Sequence, residues 1–218
     1  MAQRNTGRRS TLEVLKAEKE APAVLRRDIA SMRSTIEFLK AEKEVLVAKG
    51  EVDPIYEISG IQKALEGGPA ILFENIKGYP HARNVGNVFA RDDRTAKILG
   101  VAEPRDIKFQ ILNAIKKPIP PRVVEKAPCQ EVVITRNIDV SGTLPVIKHS
   151  EKDADRILGA GNSFLCGRHF RGGTNITFNR MRFRGKDWAT FQAGPGSHLE
   201  KIFTVEFRDE HIPMTINI

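Results

Sequence analysis

Three prolines at positions 118, 120 and 121 separate two stretches of sequence with different hydrophobic patterns. Proline lacks a backbone N–H and clashes with the preceding helical turn, so no helix continues through this segment. Before it, Ile107, Ile111 and Ile115 are spaced four residues apart, as on one face of a helix. After it, short apolar runs are separated by glycines. We therefore predict a domain boundary between residues 121 and 122.

The stretch before the prolines combines strand and helix patterns. "VLVAKGEV" alternates as a strand, and "AILFENI" is a second strand candidate. Asp53-Pro54, between them, is a typical start of a helix. We predict that residues 23–121 form an α/β domain, and that residues 1–22 are a weakly structured basic segment.

A helix is also predicted before the first strand. Ser34 and Glu37 have the spacing of a capping box, in which the serine hydroxyl accepts from a backbone N–H and the glutamate reaches back. The box predicts a helix over about residues 35–43.

The stretch after the prolines is predicted to be rich in β-structure. Short apolar runs between glycines are typical of a barrel or a sandwich. Residues 122–218 are therefore predicted to form a β-domain, which makes the whole chain α+β. The runs are "CQEVVIT", "NSFLCG", "TNITFNRMRF", "ATFQAG" and "IFTVEF", with the strand-like "IPMTINI" at residues 212–218.

Charge and cysteine content narrow the class of protein. The formal net charge of +8 favours anionic partners such as a phosphate-bearing cofactor, an acidic substrate or nucleic acid. No apolar stretch approaches the length of a membrane span, and the polar start is not expected to act as a secretory signal. Two isolated cysteines, Cys129 and Cys166, fit a reducing compartment better than a disulfide scaffold. We expect a cytoplasmic protein.

The run "TNITFNRMRFRGK" carries unusual positive charge for a half-buried strand. From Leu165 to Lys186 the sequence has six Arg or Lys and no Asp or Glu. Three interpretations are open: a solvated sheet face, a nucleic-acid surface, or a site for a phosphate or carboxylate, which the forked donors of arginine suit. Strand alternation mixes apolar and cationic groups on one side, which argues against a simply solvated face.

Two polar residues in this region are candidate metal ligands. Asn175 lies in the basic run, and His198 lies in the glycine-rich "AGPGSHLEKI", on what the pattern suggests is a neighbouring strand. An amide oxygen with an imidazole suits Mn²⁺ better than Zn²⁺ or Ca²⁺. The alternative is that His198 is an ordinary surface or core residue.

Several motifs in order resemble the UbiD-type reversible decarboxylases, which use prenylated FMN. The similarity runs from about residue 35 to residue 218. It implies a second domain that is part of a flavin-reductase-like split β-barrel. The matching segments are "EVDP…EISGI", "GGPAILFENIKGYPHARNVGNVFA", "APCQEVV", "NITFNR", "GSHLEKI" and "IPMTINI".

The resemblance implies a cofactor site on the basic run. Asn175 and His198 would coordinate a divalent metal, Mn²⁺ first, with K⁺ as a further candidate ion. The segment Ile176, Thr177 and Phe178 would line the flavin ring, and Ser197 would lie beside the cofactor.

The resemblance also assigns the reaction. Arg180 would hold the carboxylate of an aromatic acid, of the hydroxybenzoate or aromatic acyl type, while the flavin acts as the electron sink for loss of CO₂. Asn175 and Arg180 are five residues apart, so a regular strand would point them to opposite faces unless it bends, with Asn179 as a candidate bend.

The family's remaining site residues have no counterpart in the sequence. A third metal ligand, a glutamate, and an acidic pair lie further along in family members. We therefore expect an N-terminal portion of a decarboxylase that is completed by a C-terminal portion or a second polypeptide, forms a homo-oligomer, and does not turn over alone. Neither nucleic acid nor a membrane is an expected partner. The alternatives are a non-catalytic flavin-binding or assembly subunit and, third, a basic nucleic-acid-binding module.

Overall fold

The computed structural model describes residues 29, 31–120, 122–166 and 174–218. The predicted basic segment at residues 1–22 lies outside the described residues, as does the arginine-rich stretch at 167–173.

Helices and strands alternate in the first half of the chain, and strands dominate the second. The helices are α1 (Met32–Ala41), α2 (Glu57–Ala64), α3 (Asp92–Leu99), α4 (Ile107–Lys116), α5 (Val140–Thr143) and α6 (His198–Lys201). The strands are β1 (Val45–Ala48), β2 (Ala70–Phe73), β3 (Asn84–Gly86), β4 (Ile157–Cys166), β5 (Thr174–Phe183), β6 (Ala189–Thr190) and β7 (Met214–Asn217). Two 3₁₀ turns lie at Pro104–Asp106 and Pro128–Gln130, and a π-helix at Ile202–Glu206 follows α6 directly.

The chain divides into two compact units, each discontinuous in sequence. Of the described residues, one unit contains those up to Glu44 together with Asp92–Pro118, and the other contains Val45–Arg91 together with those from Ile119 to Ile218. The predicted domain boundaries at 22/23 and 121/122 stay predictions. The mixture of helices and small sheets confirms the α+β class.

Helix α1 of the first unit begins three residues earlier than expected. Ser31 is its N-cap: the Ser31 hydroxyl accepts from the N–H of Ser34, and the Ser34 hydroxyl accepts from the N–H of Ser31, both at 3.1 Å. The predicted box of Ser34 with Glu37 is therefore wrong. Ser34 takes the third helical position instead, and Glu37 accepts a hydrogen bond from Lys40.

The other unit holds a three-stranded sheet in the order β1-β2-β3. β1 pairs parallel with β2 and β2 pairs antiparallel with β3, so the first four residues of "VLVAKGEV" and of "AILFENI" are strands as predicted. All four residues of β2 are buried, as expected of a central strand between two neighbours. The core beside this sheet consists of Val52, Ile58, Ile71, Phe73, Ile76 and Tyr79.

The same unit holds a four-stranded antiparallel sheet in the order β6-β5-β4-β7. Its pairing confirms strands in "NSFLCG", "TNITFNRMRF" and "IPMTINI", while "ATFQAG" gives only the two-residue β6. A short connection links the two sheets. Ile147 packs against the core of the first sheet and bridges to Ile157 at the start of β4, and Lys148 donates its N–H to the carbonyl of Pro54.

Two predicted strands are absent from the described residues. "CQEVVIT" forms a 3₁₀ turn followed by an irregular segment, in which Val132, Val133 and Ile134 are exposed. These β-forming residues do not make a strand here because β-propensity depends on packing against a neighbouring strand. "IFTVEF" forms the π-helix rather than a strand. The buried residues of α6 and of this segment are Leu199, Ile202 and Phe207. Their spacings of three and five residues place them on one side of a helix.

None of the helices in the described part of the chain has the length and apolar character that crossing a bilayer requires.

Candidate functional site

Strand β5 presents two chemically different faces. Asn179 and Met181 are buried on one face, with Asn175 and Thr177 half-buried on the same side. The other face carries Ile176, Phe178 and Arg180, and it is open: Ile176 is 66% exposed and Phe178 77% exposed. The mixture of apolar and cationic side chains expected from the sequence is therefore a surface feature. It offers a flat apolar area beside a guanidinium.

An irregularity in the sheet lies opposite Arg180. Asn179 pairs with Gly161 and Met181 pairs with Leu158, so two residues of β4 face the single residue Arg180 of β5. The extra residue belongs to β4, whereas β5 keeps its alternation through Asn179. A β-bulge of this kind increases the local twist and re-aims neighbouring side chains. Asn175 and Arg180 consequently lie on opposite faces of β5.

The segment around His198 is the start of a helix, not a neighbouring strand. Ser197 is the N-cap of α6, and its hydroxyl accepts from the N–H of Glu200 at 3.1 Å. The Glu200 carboxylate accepts in turn from the N–H of Gly196, whose φ of 75° is in the left-handed region. This reciprocal pair fixes the turn that precedes the helix. It leaves Ser197 half-buried and His198 exposed in the first turn.

The structure brings the two predicted metal-binding segments onto elements that touch. α6 packs against β5, with Leu199 and Ile202 buried beneath it. Asn175 lies on the half-buried side of β5, and His198 lies at the start of α6. Among the described residues no group of three or more His, Cys, Asp or Glu side chains is placed to hold a metal ion. Asn175 and His198 stay predicted metal ligands, and a site built on them needs further ligands.

A buried carboxylate oxygen lies close in sequence to this segment. Oε2 of Glu206, in the π-helix after α6, is inaccessible to solvent and has no hydrogen-bond partner among the described residues. An unpaired buried oxygen carries a desolvation cost of about 1–3 kcal/mol. π-helical turns are often found at functional positions.

A second polar cluster was not predicted from the sequence. Nη1 of Arg156 donates to the Tyr79 hydroxyl at 2.8 Å, and that hydroxyl donates to the carbonyl of Ser141 at 2.8 Å. Nearby, Nζ of Lys77 donates to Oδ2 of Asp53 at 2.9 Å. The hydrogen bond from Lys77, and next the one from the N–H of Ile55, lower the pKa of the Asp53 carboxyl. The paired Asp53 carboxylate raises the pKa of Lys77.

Two family descriptions match the chain. The 3-octaprenyl-4-hydroxybenzoate carboxy-lyase N-terminal domain (UbiD_N) matches residues 36–111, and the Rift-related domain of the same carboxy-lyase (UbiD) matches residues 122–218. The chain therefore belongs to the UbiD family of carboxy-lyases, as its motifs predicted.

Individual relatives agree with the family. The phenolic acid decarboxylase of Bacillus subtilis is 28% identical over 189 residues, which cover 79% of this chain and 39% of that relative. The UbiD-class enzyme HmfF of Pelotomaculum thermopropionicum, in an evolved dimeric form with prFMN, superposes with a TM-score of 0.80 at 26% identity. The match covers 86% of this chain and 44% of that one.

A third relative is named as a two-part protein. The closed form of the Sedimentibacter hydroxybenzoicus vanillic acid decarboxylase, ShVdcCD, superposes with a TM-score of 0.76 at 25% identity, over 85% of this chain and 42% of that one. A further structure of it contains a truncated ShVdcD. This chain thus spans about two-fifths of the length of the relatives it matches.

Proposed function

We propose that this chain is part of an enzyme that reversibly removes CO₂, without oxidation, from an aromatic acid of the hydroxybenzoate or aromatic acyl type. The observation that carries the proposal is the open face of β5, where Ile176, Phe178 and Arg180 lie together in a chain that matches both UbiD domains. B. subtilis phenolic acid decarboxylase and ShVdcCD, both named as aromatic acid decarboxylases, support this substrate class.

The cofactor we propose is prenylated FMN, the group present in HmfF. The residues of β5 fit a flavin. Exposed Ile176 and Phe178 offer an apolar surface to an aromatic ring system, and Thr177 lies between them in the strand. When bound, this flavin supplies an electron sink for breaking the bond to the carboxyl group.

The cofactor's phosphate needs positive charge that an oxygen-ligated cation can supply. Asn175 and His198, on elements that pack together, would give an amide oxygen and an imidazole to Mn²⁺, with K⁺ as a further candidate ion. Ser197 would lie beside them, held by its bond to Glu200. Two donors leave the cation's shell incomplete, so the proposal requires further ligands from outside the described residues.

Arg180 is the proposed substrate-binding residue. Its guanidinium is exposed on the same face of β5 as the apolar surface for the flavin. A planar fork of N–H donors can bind a carboxylate through two parallel hydrogen bonds, which fixes the acid in one orientation. Such positioning lowers the barrier by limiting the freedom of the reacting groups before the bond breaks.

The relatives' greater length supports a composite site. We propose that a further polypeptide segment, either in the same protein or in a second subunit as the name ShVdcCD indicates, completes the split β-barrel begun by β4–β7 and supplies the missing acids. Oligomers of the complete protein are part of this proposal.

The test begins with cofactor binding by the chain itself. Residues 1–218 are produced in cells that make prenylated FMN, and the purified protein is examined by absorbance, mass spectrometry and metal analysis. We expect bound flavin, with Asn175→Ala and His198→Ala losing most of the flavin and metal. His211→Ala, at another exposed histidine, serves as the control and retains both. Equal loading of flavin and metal in all variants would contradict the proposed site.

Activity is then measured with the completing polypeptide present. CO₂ release is followed from vanillic, 3,4-dihydroxybenzoic and other phenolic acids, and Arg180→Gln is expected to lower kcat/KM by about 100-fold or more, as loss of a charged positioning contact does. The alternative of a non-catalytic flavin-binding subunit predicts bound flavin without turnover in any combination.

A further inference from the structure

Two adjoining clefts, neither of them lined by a predicted cofactor residue, share one arginine. The first has a volume of about 320 Å³, and the second about 300 Å³. Both volumes are at the lower end of the range for small-molecule sites. The first is lined by Asp53, Pro54, Ile55, Lys77, Tyr79 and Arg156, and the second by Ser141, Asp155, Arg156, Phe183 and Lys186.

Arg156 carries the unbalanced charge of these clefts. Lys77 of the first cleft is paired with Asp53 at 2.9 Å, and the Asp155 of the second is paired with Arg184 at 2.6 Å. Lys186 lies 4.0 Å from the carboxylate of Asp139. The half-buried guanidinium of Arg156, by contrast, meets the neutral Tyr79 hydroxyl and no carboxylate within ion-pair distance among the described residues.

The hydrogen bond to Tyr79 orients the guanidinium and leaves one edge available. Nη1 of Arg156 is engaged by Tyr79, whose hydroxyl is itself anchored to the Ser141 carbonyl. Among the residues that the structure describes, Nη2 and Nε of Arg156 have no hydrogen-bond partner, and together these two donors can bind a carboxylate through two parallel hydrogen bonds. The side chain is thus held in position by a partner that neutralises none of its charge.

The surroundings select a monovalent, partly apolar ligand. Since Lys77 already balances Asp53, the cleft offers one surplus positive charge, which matches a carboxylate better than a phosphate dianion. Pro54, Ile55 and the ring of Tyr79 line the first cleft beside that charge. These groups suit an apolar body attached to the carboxylate.

We propose that Arg156 and Tyr79 form a binding site for a small monocarboxylic acid, distinct from the predicted substrate contact at Arg180. The two arginines differ in setting: Arg180 is exposed on a regular part of β5, whereas Arg156 immediately precedes β4 and is fixed by a hydroxyl. The site requires neither flavin nor metal, so its existence is independent of the proposed decarboxylation.

The experiment measures binding to the complete chain without cofactor. Fluorobenzoate is titrated with the protein and followed by ¹⁹F NMR, with inorganic phosphate as the competing anion. We expect saturable binding of fluorobenzoate, which Arg156→Gln weakens by at least tenfold. Arg156→Lys should also weaken it, because lysine keeps the positive charge but lacks the planar pair of N–H donors of the guanidinium. Arg136→Gln removes an equal charge from an exposed position and should leave the affinity unchanged.

Further variants separate this site from the predicted one. Arg180→Gln should retain the Arg156-dependent binding, and Tyr79→Phe should weaken it while thermal unfolding shows a folded protein. The proposal is wrong if no saturable binding is found, if Arg156→Gln binds as the unmodified chain does, if binding depends on Arg180 instead, or if phosphate binds more tightly than fluorobenzoate.

Discussion

Asn175 and Arg180 lie on opposite faces of strand β5, five residues apart in a segment that keeps its alternation. The bulge that interrupts the pairing belongs to β4 and lies opposite Arg180. One bound cofactor can therefore meet both side chains only by contacting the two faces at different points, for example around the end of the strand. The face of Arg180 is open, and β5 contacts α6, the helix that begins at His198.

The two faces predict opposite results for two neighbouring truncations. Met181 is 2% exposed, so Met181→Ala should lower the free energy of unfolding by about 2–5 kcal/mol through lost burial and a cavity. Phe178→Ala removes an exposed ring and should change stability by less than about 0.5 kcal/mol while weakening flavin binding. Urea unfolding and flavin titration measure the two effects. A large stability loss in Phe178→Ala would show that its face is covered.

A buried ion pair in the first unit predicts a large stability effect. Arg94 is fully buried, and its Nε lies 3.4 Å from Oε2 of Glu44, whose other oxygen lies 3.2 Å from Lys97. Glu44→Gln removes the carboxylate that Arg94 and Lys97 share and should cost about 3 kcal/mol in urea unfolding. Glu37→Gln breaks only the exposed contact with Lys40 and should cost about 0.5 kcal/mol or less. Equal losses in both variants would contradict the buried pair's importance.

The pair of Asp53 and Lys77 predicts a pH dependence of stability. The folded pKa of Asp53 is lowered below 3.8 by the Lys77 hydrogen bond and the Ile55 N–H, so this stabilisation is present above that pH. It is lost as the pH falls through the folded pKa, because the unfolded chain then binds the proton more readily. The raised pKa of Lys77 places the corresponding alkaline loss above pH 10.5.

The measurement compares unfolding midpoints at pH 6 and pH 3. Asp53→Asn should be less stable than the unmodified chain at pH 6, and the difference should shrink at pH 3. Asp187→Asn, at an exposed position, controls for the change in net charge. A difference that stays constant between the two pH values would rule out the ionised pair as its cause.

The orphaned oxygen of Glu206 predicts a stabilising substitution. Glu206→Met removes a buried oxygen that has no hydrogen-bond partner among the described residues, and should raise the free energy of unfolding by about 1 kcal/mol. Glu210→Met, at an exposed position, should have little effect. If Glu206→Met destabilises the chain, the carboxylate has a stabilising partner that the described residues do not contain.

Local patterns predicted most strands but misread segments that tertiary contacts control. The extent of "TNITFNRMRF" is visible in the sequence and matches β5, although its buried side carries Asn179 and Met181 while the apolar Ile176 and Phe178 are exposed. "IFTVEF" has the same β-forming residues, yet the cap at Ser197 starts a helix and the burial of Leu199 and Ile202 continues it. Propensity is a weak preference that a cap and a buried surface together override.

The candidate cofactor residues could be proposed from the sequence because they lie within short motifs. Asn175 and Arg180 share one strand, and Ser197 and His198 share one turn, so spacing and resemblance were sufficient to single them out. The second cluster could not be found in this way. Arg156 and Tyr79 are 77 residues apart, and Lys77 and Asp53 are 24 apart, with no motif joining either pair.

The sequence by itself determined the family, the α+β class and the position of most strands. Only the tertiary structure decided that the irregularity opposite Arg180 belongs to β4 and that Arg156 lies between two clefts with a hydroxyl as its partner. The physical reason is the separation along the chain of the residues that interact. Alternation, caps and turns act between residues a few positions apart, whereas register and charge pairing depend on which distant segments pack together.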